Sequence, residues 1–257
     1  MHNAAFAALG LPDWSYELWE TTPEDLGARV AALRLDPAIA GANVTIPHKQ
    51  AVVAHLDGVS EHAVSIGAVN TLVRDGGRLL GENTDWLGFL DDLRRHGLDT
   101  LAGSRALVLG AGGSARAICY GLAQAGAEVR VVNRDPARAQ TLAGSLKGVG
   151  PLQKLDQAEA LATDLIVNCT SAGMEPRETT TPWPEGISFP RAATLYDLVY
   201  KPAITRLMRD AAGAGLRVIG GIGMLAEQGA EAFALWTGRS AREASVIMRQ
   251  TLGVSPA

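Results

Sequence analysis

The sequence predicts an α/β protein of two domains: an N-terminal α/β domain, a parallel doubly wound sheet inserted into it, and C-terminal helices that return to the first domain. Three observations carry this reading. Between about residues 100 and 221, apolar strands "ALVLG", "EVRVVN", "DLIVNCT", "TLYDLVY" and "RVIGG" alternate with helical patterns, and strands that alternate with helices form a parallel sheet covered on both faces. The segment before them mixes shorter strands with helices and a hairpin. The segment after them is helical only and too small to fold alone, so it is expected to pack on the first domain. The expected division is therefore 1–85 with 222–257, and 86–221 between.

The elements follow in chain order. "HNAAFAAL" has apolar residues at three- and four-residue spacing, and Gly10 and Pro12 end it as a helix. "SYELWE" alternates like a strand. Thr22-Pro23-Glu24-Asp25 supplies a cap, a first-turn proline and acids ahead of the helix "LGARVAALRL". "GANVTI" is a β-branched strand stopped by Pro47. "AVNTLVRDGGRLLGENT" reads as two strands around the turn Asp75-Gly76-Gly77. At the other end "MLAEQGAEAFALW" stops at Gly238, and Ser240 with Glu243 forms a capping box for a last helix.

Composition narrows the function classes. The 257 residues carry a net charge of -4 and are 47% hydrophobic and 19% charged, which is ordinary for a soluble globular protein. Cationic residues are scattered, so neither nucleic acid nor an anionic membrane is an expected partner. No apolar run reaches membrane-spanning length and the first residues lack a signal pattern. Cys119 and Cys169 have no CxxC or Cys/His spacing, and the five histidines make no ligand pattern. Reduced thiols, a cytoplasmic location and no metal are expected.

The most informative stretch of the inserted domain is "ALVLGAGGSARAICYGLAQAGAEVRVVNR". A strand runs into Gly110, Ala111, Gly112, Gly113, Ser114 and Ala115, then into a helix. In this G-x-G-x-x-A pattern the first glycine makes the turn, the second lets backbone approach a pyrophosphate, and a small third residue lets helix and strand pack. The helix N-terminus then faces the phosphates. This is the Rossmann dinucleotide arrangement. At the end of the next strand, where an acid would bind the ribose of NAD, the chain has Asn133 and Arg134, with Arg138 a turn later. Two guanidinium groups suit a 2′-phosphate, so NADP is the expected cofactor. Asp135 would repel that phosphate, unless it caps the helix opened by Pro136.

Substrate and catalytic groups must then come from the first domain. "NVTIPHK" places Asn43, Thr45 and Lys49 around a strand end, "GAVNTL" adds Asn70, and "GENTDWLGF" adds Asn83, Thr84 and Asp85. Singly, each has a structural reading as a solvated lysine or a helix cap. Trp183, in the loop "EPRETTTPWPEG", reads equally as a lid or as a packed side chain.

Together, "GANVTIPHK", "IGAVNT", "NTDWLGF", "LGAGGSARA", "NRDPARA", "NCTSAGM", "YDLVYKP" and "GGIGMLAEQGAEAFALWTG" resemble the shikimate dehydrogenase family in order and spacing over nearly the whole chain. The resemblance implies reversible NADPH-linked reduction of 3-dehydroshikimate to shikimate, a step toward chorismate and the aromatic amino acids, by a monomer or homodimer. It makes Lys49 and Asp85 the catalytic pair. It places Thr45, Asn70, Asp85, Tyr200 and Gln228 on substrate and 86–221 on the cofactor, with Gly110 to Ala115, Asn133, Arg134, Asp135 and Arg138 holding it and Met174 and Gly221 near the nicotinamide. In the reductive direction a charged Lys49 donates the proton and stabilises the alkoxide, with Asp85 orienting it. Two alternatives stay open: an NAD-dependent quinate/shikimate dehydrogenase, which Asp135 would favour, and a nonenzymatic NADP-binding relative.

The resemblance also bears on the first helix. In the family, Met-His-Asn follows a strand and a Ser-x-Ser-Pro turn whose hydroxyls hold the substrate carboxylate, whereas this sequence starts at the methionine. Either the sequence is part of a longer chain, or the parallel sheet expected in the first domain lacks a strand and substrate affinity falls more than cofactor affinity.

Overall fold

The computed structural model describes residues 1–254. The chain forms two compact units, one of Met1–Arg95 with the segment from Leu225 onward, the other of His96–Met224. In chain order the first unit contains α1 (His2–Ala8), α2 (Leu26–Leu35), β1 (Gly41–Asn43), β2 (Gly58–Val59), α3 (Glu61–Ile66), β3 (Thr71–Asp75), β4 (Arg78–Glu82) and α4 (Asp85–Arg95). The second contains β5 (Arg105–Leu109), α5 (Gly113–Gln124), β6 (Glu128–Val132), α6 (Pro136–Ser145), β7 (Val149–Leu152), α7 (Gln157–Leu161), β8 (Leu165–Asn168), β9 (Thr194–Asp197), α8 (Arg206–Gly213) and β10 (Arg217–Gly220). The chain then enters α9 (Ile222–Thr237) and α10 (Ala241–Thr251). Among the described residues no helix is long and apolar enough to cross a membrane.

The first unit has a four-stranded sheet in the order β1-β3-β4-β2. It is mixed rather than parallel. β3 and β4 form the hairpin expected around Gly76-Gly77, β1 runs antiparallel to β3, and only β2 is parallel to its neighbour. Its core packs Leu26, Val30 and Leu33 of α2 on Val52, Leu72 and Leu79. A second cluster joins Ala5 and Phe6 of α1 to Ala226, Ala230 and Phe233 of α9 and Ala244 and Met248 of α10. The apolar stripe of the first helix is thus buried by the two C-terminal helices, and this shared packing stabilises all three.

"SYELWE" is not a strand. A period of two shows only that one face could be covered; a strand also needs a neighbour for its backbone. Here the side-chain amide of Asn3 makes the two bonds a neighbouring strand would make at Tyr16. Its Oδ1 accepts from the Tyr16 N–H at 2.7 Å, and its Nδ2 donates to the Tyr16 carbonyl at 3.1 Å. Leu18 is 89% exposed, and the Arg29 guanidinium lies 5.2 Å from the Trp19 ring centre.

The second unit is a six-stranded sheet in the order β10-β9-β8-β5-β6-β7, every pairing parallel. The chain winds from β5 outward to β7, returns to β8 on the other side of β5, and winds outward again. The order reverses between β5 and β8, and ligands of such sheets bind beyond the strand ends at that reversal. β7, "VGPL", escapes sequence reading because Gly150 and Pro151 break the strand pattern. As the last strand of the sheet it has one free edge, where a missing N–H is tolerated.

Candidate active site

In the first unit, the polar residues gathered from three sequence stretches meet where β1 ends, β3 begins and α4 starts. The chain leaves β1 with Val44 N–H bonded to the Asn70 carbonyl at 2.7 Å, then turns at 46–50, and the Lys49 carbonyl accepts from Val69 N–H at 2.7 Å. This turn brings the Lys49 ammonium to 2.5 Å from Asp85 Oδ2, with the two side chains 12% and 4% exposed. Asp85 opens α4, and Asn83 sets its entry: its Oδ1 accepts from Asp85 N–H at 3.1 Å and its Nδ2 donates to the Ala68 carbonyl at 2.8 Å.

Asn70 is the hub. Its Nδ2 lies 2.9 Å from Asp85 Oδ1, 2.9 Å from Thr84 Oγ1 and 3.2 Å from Gln228 Oε1. Its Oδ1 accepts from Thr84 N–H at 2.7 Å and from the Thr71 hydroxyl at 3.0 Å. With Asn70 only 2% exposed, the amide cannot turn without leaving buried groups unpaired. Gln228 reaches it from α9, whose backbone α4 approaches at Gly88: a Cβ there would lie 2.4 Å from the Gln228 nitrogen. Of the residues the sequence singled out, the structure therefore joins Lys49, Asn70, Asp85 and Gln228. Thr45 is exposed on the same loop, four residues before Lys49. Of Asn83 and Thr84, which the sequence marks only as polar neighbours of Asp85, the first holds the Asp85 N–H and the second holds Asn70 and donates to the Gln228 carbonyl at 3.0 Å.

In the second unit the glycine pattern occupies the turn from β5 into α5. Gly110 has φ +110°, and a Cβ there would press on Thr170 and on the Cys169 backbone at 3.1 and 3.2 Å, so only glycine fits where β5 and β8 end side by side. Ala111 is buried, Gly112 caps α5 without a side-chain bond, and Gly113 and Ser114 open the helix. The N-terminus of α5, which carries no side-chain cap, therefore lies at the turn out of β5, where the helix dipole favours an anion. Ala115 is completely buried against the sheet, as the small third position requires.

After β6, Asn133 Nδ2 donates to the Asp135 carbonyl at 3.0 Å, and Arg134 and Arg138 are exposed. The Asp135 carboxylate caps α6, accepting from Ala137 N–H at 3.0 Å. Met174 and Tyr200 are exposed on the loops after β8 and β9, and Gly221 is buried where a Cβ would lie 2.4 Å from the Leu198 carbonyl. Trp183 is packed rather than a lid: it is 8% exposed, stacks on Phe189 with ring centres 4.4 Å apart, and donates to the Ile187 carbonyl at 2.8 Å.

Residues 1–72 match the shikimate dehydrogenase substrate binding domain, 92–177 the shikimate / quinate 5-dehydrogenase family, and 221–252 the shikimate 5'-dehydrogenase C-terminal domain. A shikimate dehydrogenase (NADP(+)) of Moorella thermoacetica is 46% identical, across 99% of this chain and 89% of that protein. The chain belongs to the shikimate dehydrogenase family. A Thermus thermophilus relative of the same name is 47% identical over 93% of this chain and 86% of its own length. The crystal structure of shikimate 5-dehydrogenase from Thermus thermophilus in complex with NADP(H) and shikimate superposes with a TM-score of 0.85 at 43% identity, covering 97% of this chain and 92% of that one. The α/β architecture with its parallel Rossmann sheet is therefore that of a shikimate dehydrogenase family member.

Proposed function

We infer that the protein is an NADP-linked shikimate dehydrogenase, interconverting 3-dehydroshikimate and shikimate. The observation that carries this reading is the Lys49–Asp85 pair, largely buried and held by Asn70, in a chain of this family that also carries an uncapped dinucleotide helix. Bound NADPH supplies a hydride to the substrate carbonyl carbon. The Lys49 ammonium supplies the proton to the carbonyl oxygen and stabilises the charge that develops on it. Asp85 holds the ammonium in one place, and Asn70 holds Asp85. In the reverse direction the neutral Lys49 amine takes the hydroxyl proton.

We assign Thr45, Asn70, Asp85, Tyr200 and Gln228 to substrate contact, because amide, hydroxyl and carboxylate groups match a polyhydroxylated ring and would be left unpaired by a ring lacking a hydroxyl. The first unit, Met1–Arg95 with the segment from Leu225 onward, would form the substrate domain and His96–Met224 the cofactor domain, near the division at 85 and 222 expected from the sequence. Gly110 to Ala115 would cradle the pyrophosphate, Asn133, Arg134 and Arg138 the phosphorylated ribose, and Met174 and Gly221 the nicotinamide. The geometry favours NADP over NAD because the Asp135 carboxylate is engaged by Ala137 N–H while both arginines are exposed. Its role at the cofactor site is then to shape the loop by capping α6. No disulfide joins Cys119 and Cys169, and the proposed location is the cytoplasm, as expected from the sequence. The test is the initial rate of NADP reduction with shikimate, compared with NAD and with quinate. NADPH formation with shikimate is expected; its absence refutes the activity, and a higher kcat/KM with NAD refutes the cofactor assignment.

A further inference from the structure

The second unit holds a buried carboxylate that the chemistry above does not use. Asp197 ends β9, is 0% exposed, and sits directly across the ladder from Asn168, which ends β8. Its two oxygens take three bonds, from the end of β8, from the loop that follows Asp197 itself and from the cap of α8. Asn168 Nδ2 donates to Oδ1 at 2.8 Å, Val199 N–H donates to the same oxygen at 3.1 Å, and the Thr205 hydroxyl donates to Oδ2 at 2.6 Å. Burial pushes the Asp197 carboxyl above its ordinary range, while these three donors favour the ionised form. Thr205 spends its proton on the carboxylate and accepts from Met208 N–H at 3.2 Å, which caps α8.

Two loops grow from this centre. On one side Asn168 Oδ1 accepts from both the N–H and the hydroxyl of Thr170, at 2.9 and 2.7 Å, and the Thr170 hydroxyl accepts from Ala172 N–H at 3.2 Å. The loop then passes Thr205 at Gly173, where a Cβ would lie 3.1 Å from the Thr205 Cβ, and Met174 follows. On the other side Leu198 N–H bonds to the Asn168 carbonyl at 3.0 Å and Val199 N–H to Asp197, and Tyr200 follows. A pair of apolar residues would pack these strand ends without the cost of burying a carboxylate. What the carboxylate adds is direction, because each donor must meet it along a lone pair.

We propose that Asp197 is a positioning residue: through Asn168, Val199 and Thr205 its carboxylate ties the loop that carries Met174 to the loop that carries Tyr200 and sets where those two side chains stand. The consequence for turnover rests on the roles assigned to Met174 and Tyr200 above, whereas the tie itself does not.

Three variants of the full chain test it, each read by kcat and KM for shikimate, by the Kd of NADPH from its fluorescence, and by hydrogen exchange. Asp197→Ala removes the tie. Asp197→Asn keeps the tie, since an amide oxygen can face Asn168 and Val199 while its NH2 donates to the Thr205 oxygen in place of the bond the Thr205 hydroxyl makes to the carboxylate. Thr205→Val removes one donor and keeps the shape, and serves if Asp197→Ala does not fold. For Asp197→Ala we expect kcat to fall about tenfold or more, NADPH Kd to change by less than about threefold, and faster exchange confined to 169–174 and 198–204. Asp197→Asn should keep kcat within about threefold, and Thr205→Val should lose about threefold or more. The proposal is overturned by native exchange in both loops of Asp197→Ala, by native kcat in Asp197→Ala or Thr205→Val, by equal losses in the Asn and Ala variants, or by NADPH affinity falling as far as kcat. A wild-type protein that fails to oxidise shikimate refutes the functional reading instead, and the exchange measurement still decides the tie.

Discussion

Replacing Lys49 with methionine separates what this side chain does for catalysis from what it does for the fold. Methionine keeps most of the apolar stem and removes the charge. Asp85, with a side chain only 4% exposed, then loses the ammonium 2.5 Å from Oδ2. It keeps the Asn70 amide 2.9 Å from Oδ1 and its place at the N-terminus of α4, where a negative charge is favoured. Breaking a buried ion pair by removing one partner costs about 3–5 kcal/mol, and the two remaining interactions put this case at the low end, about 3 kcal/mol. The catalytic effect is independent of that cost: loss of a general acid lowers kcat by about a hundred- to ten-thousandfold. Urea unfolding reads the first quantity, and NADP reduction by shikimate at saturation reads the second. NADPH Kd should stay close to wild type. In the double variant Lys49→Met/Asp85→Asn the unpaired carboxylate is gone, so stability should recover while kcat stays low. Turnover of Lys49→Met within about tenfold of wild type, or activity returning with stability in the double variant, would refute the assignment of proton transfer to Lys49.

Other consequences of the structure can be measured in the same way. On the proposed role of Arg134 and Arg138 at the 2′-phosphate, Arg134→Ala and Arg138→Ala should each raise KM for NADP about tenfold or more by removing a charge-assisted hydrogen bond, and should leave KM for NAD nearly unchanged; equal effects on both cofactors would remove the arginines from the 2′-phosphate. Arg249, 2% exposed, lies 2.7 Å from Asp92 and 3.0 Å from Glu227. Arg249→Met should destabilise the protein by about 3–5 kcal/mol in urea because two buried carboxylates lose their shared cation; a loss below about 1 kcal/mol would show that the network is not needed for stability. Burial lowers the pKa of His2 from 6.5 to about 4, so as pH falls below 6.5 the unfolded chain takes up a proton that the folded chain refuses. This contribution to stability is present at neutral pH and is lost between pH 6.5 and about 4, by about 1.4 kcal/mol per pH unit and about 3 in all. His2→Phe should flatten the stability profile in that window, and an unchanged profile would count against a buried neutral imidazole.

Much of the candidate site is legible before any coordinates, and the exceptions have physical causes. The glycine loop is readable because its requirements are local: a turn, a close backbone approach and a small packing residue within six positions. Lys49, Asn70 and Asp85 are legible as residue types with a family resemblance, but nothing local says that they touch. Asn83 and Thr84 look like ordinary loop polars, and only the path into α4 sets Asn83 on the Asp85 N–H and Thr84 on the Asn70 side chain. "SYELWE" misleads because alternation reports a side-chain pattern and is silent about the backbone partner. The same holds for Asp197, which sits inside an apolar run and discloses nothing of the three donors that meet it.

By itself the sequence determined the alternation of strands and helices, the dinucleotide loop, the caps that begin α6 and α10, and the residue types available for proton and hydride chemistry. All of these depend on neighbours within a turn or two. Tertiary structure alone decided that the sheet of the first unit is mixed, that Lys49 meets a carboxylate 36 residues away and Asn70 an amide 158 residues away, and that Trp183 packs into the core. The reason is that hydrogen bonds and burial between distant segments are set by how the whole chain closes, and a local pattern carries no record of which partner it will find.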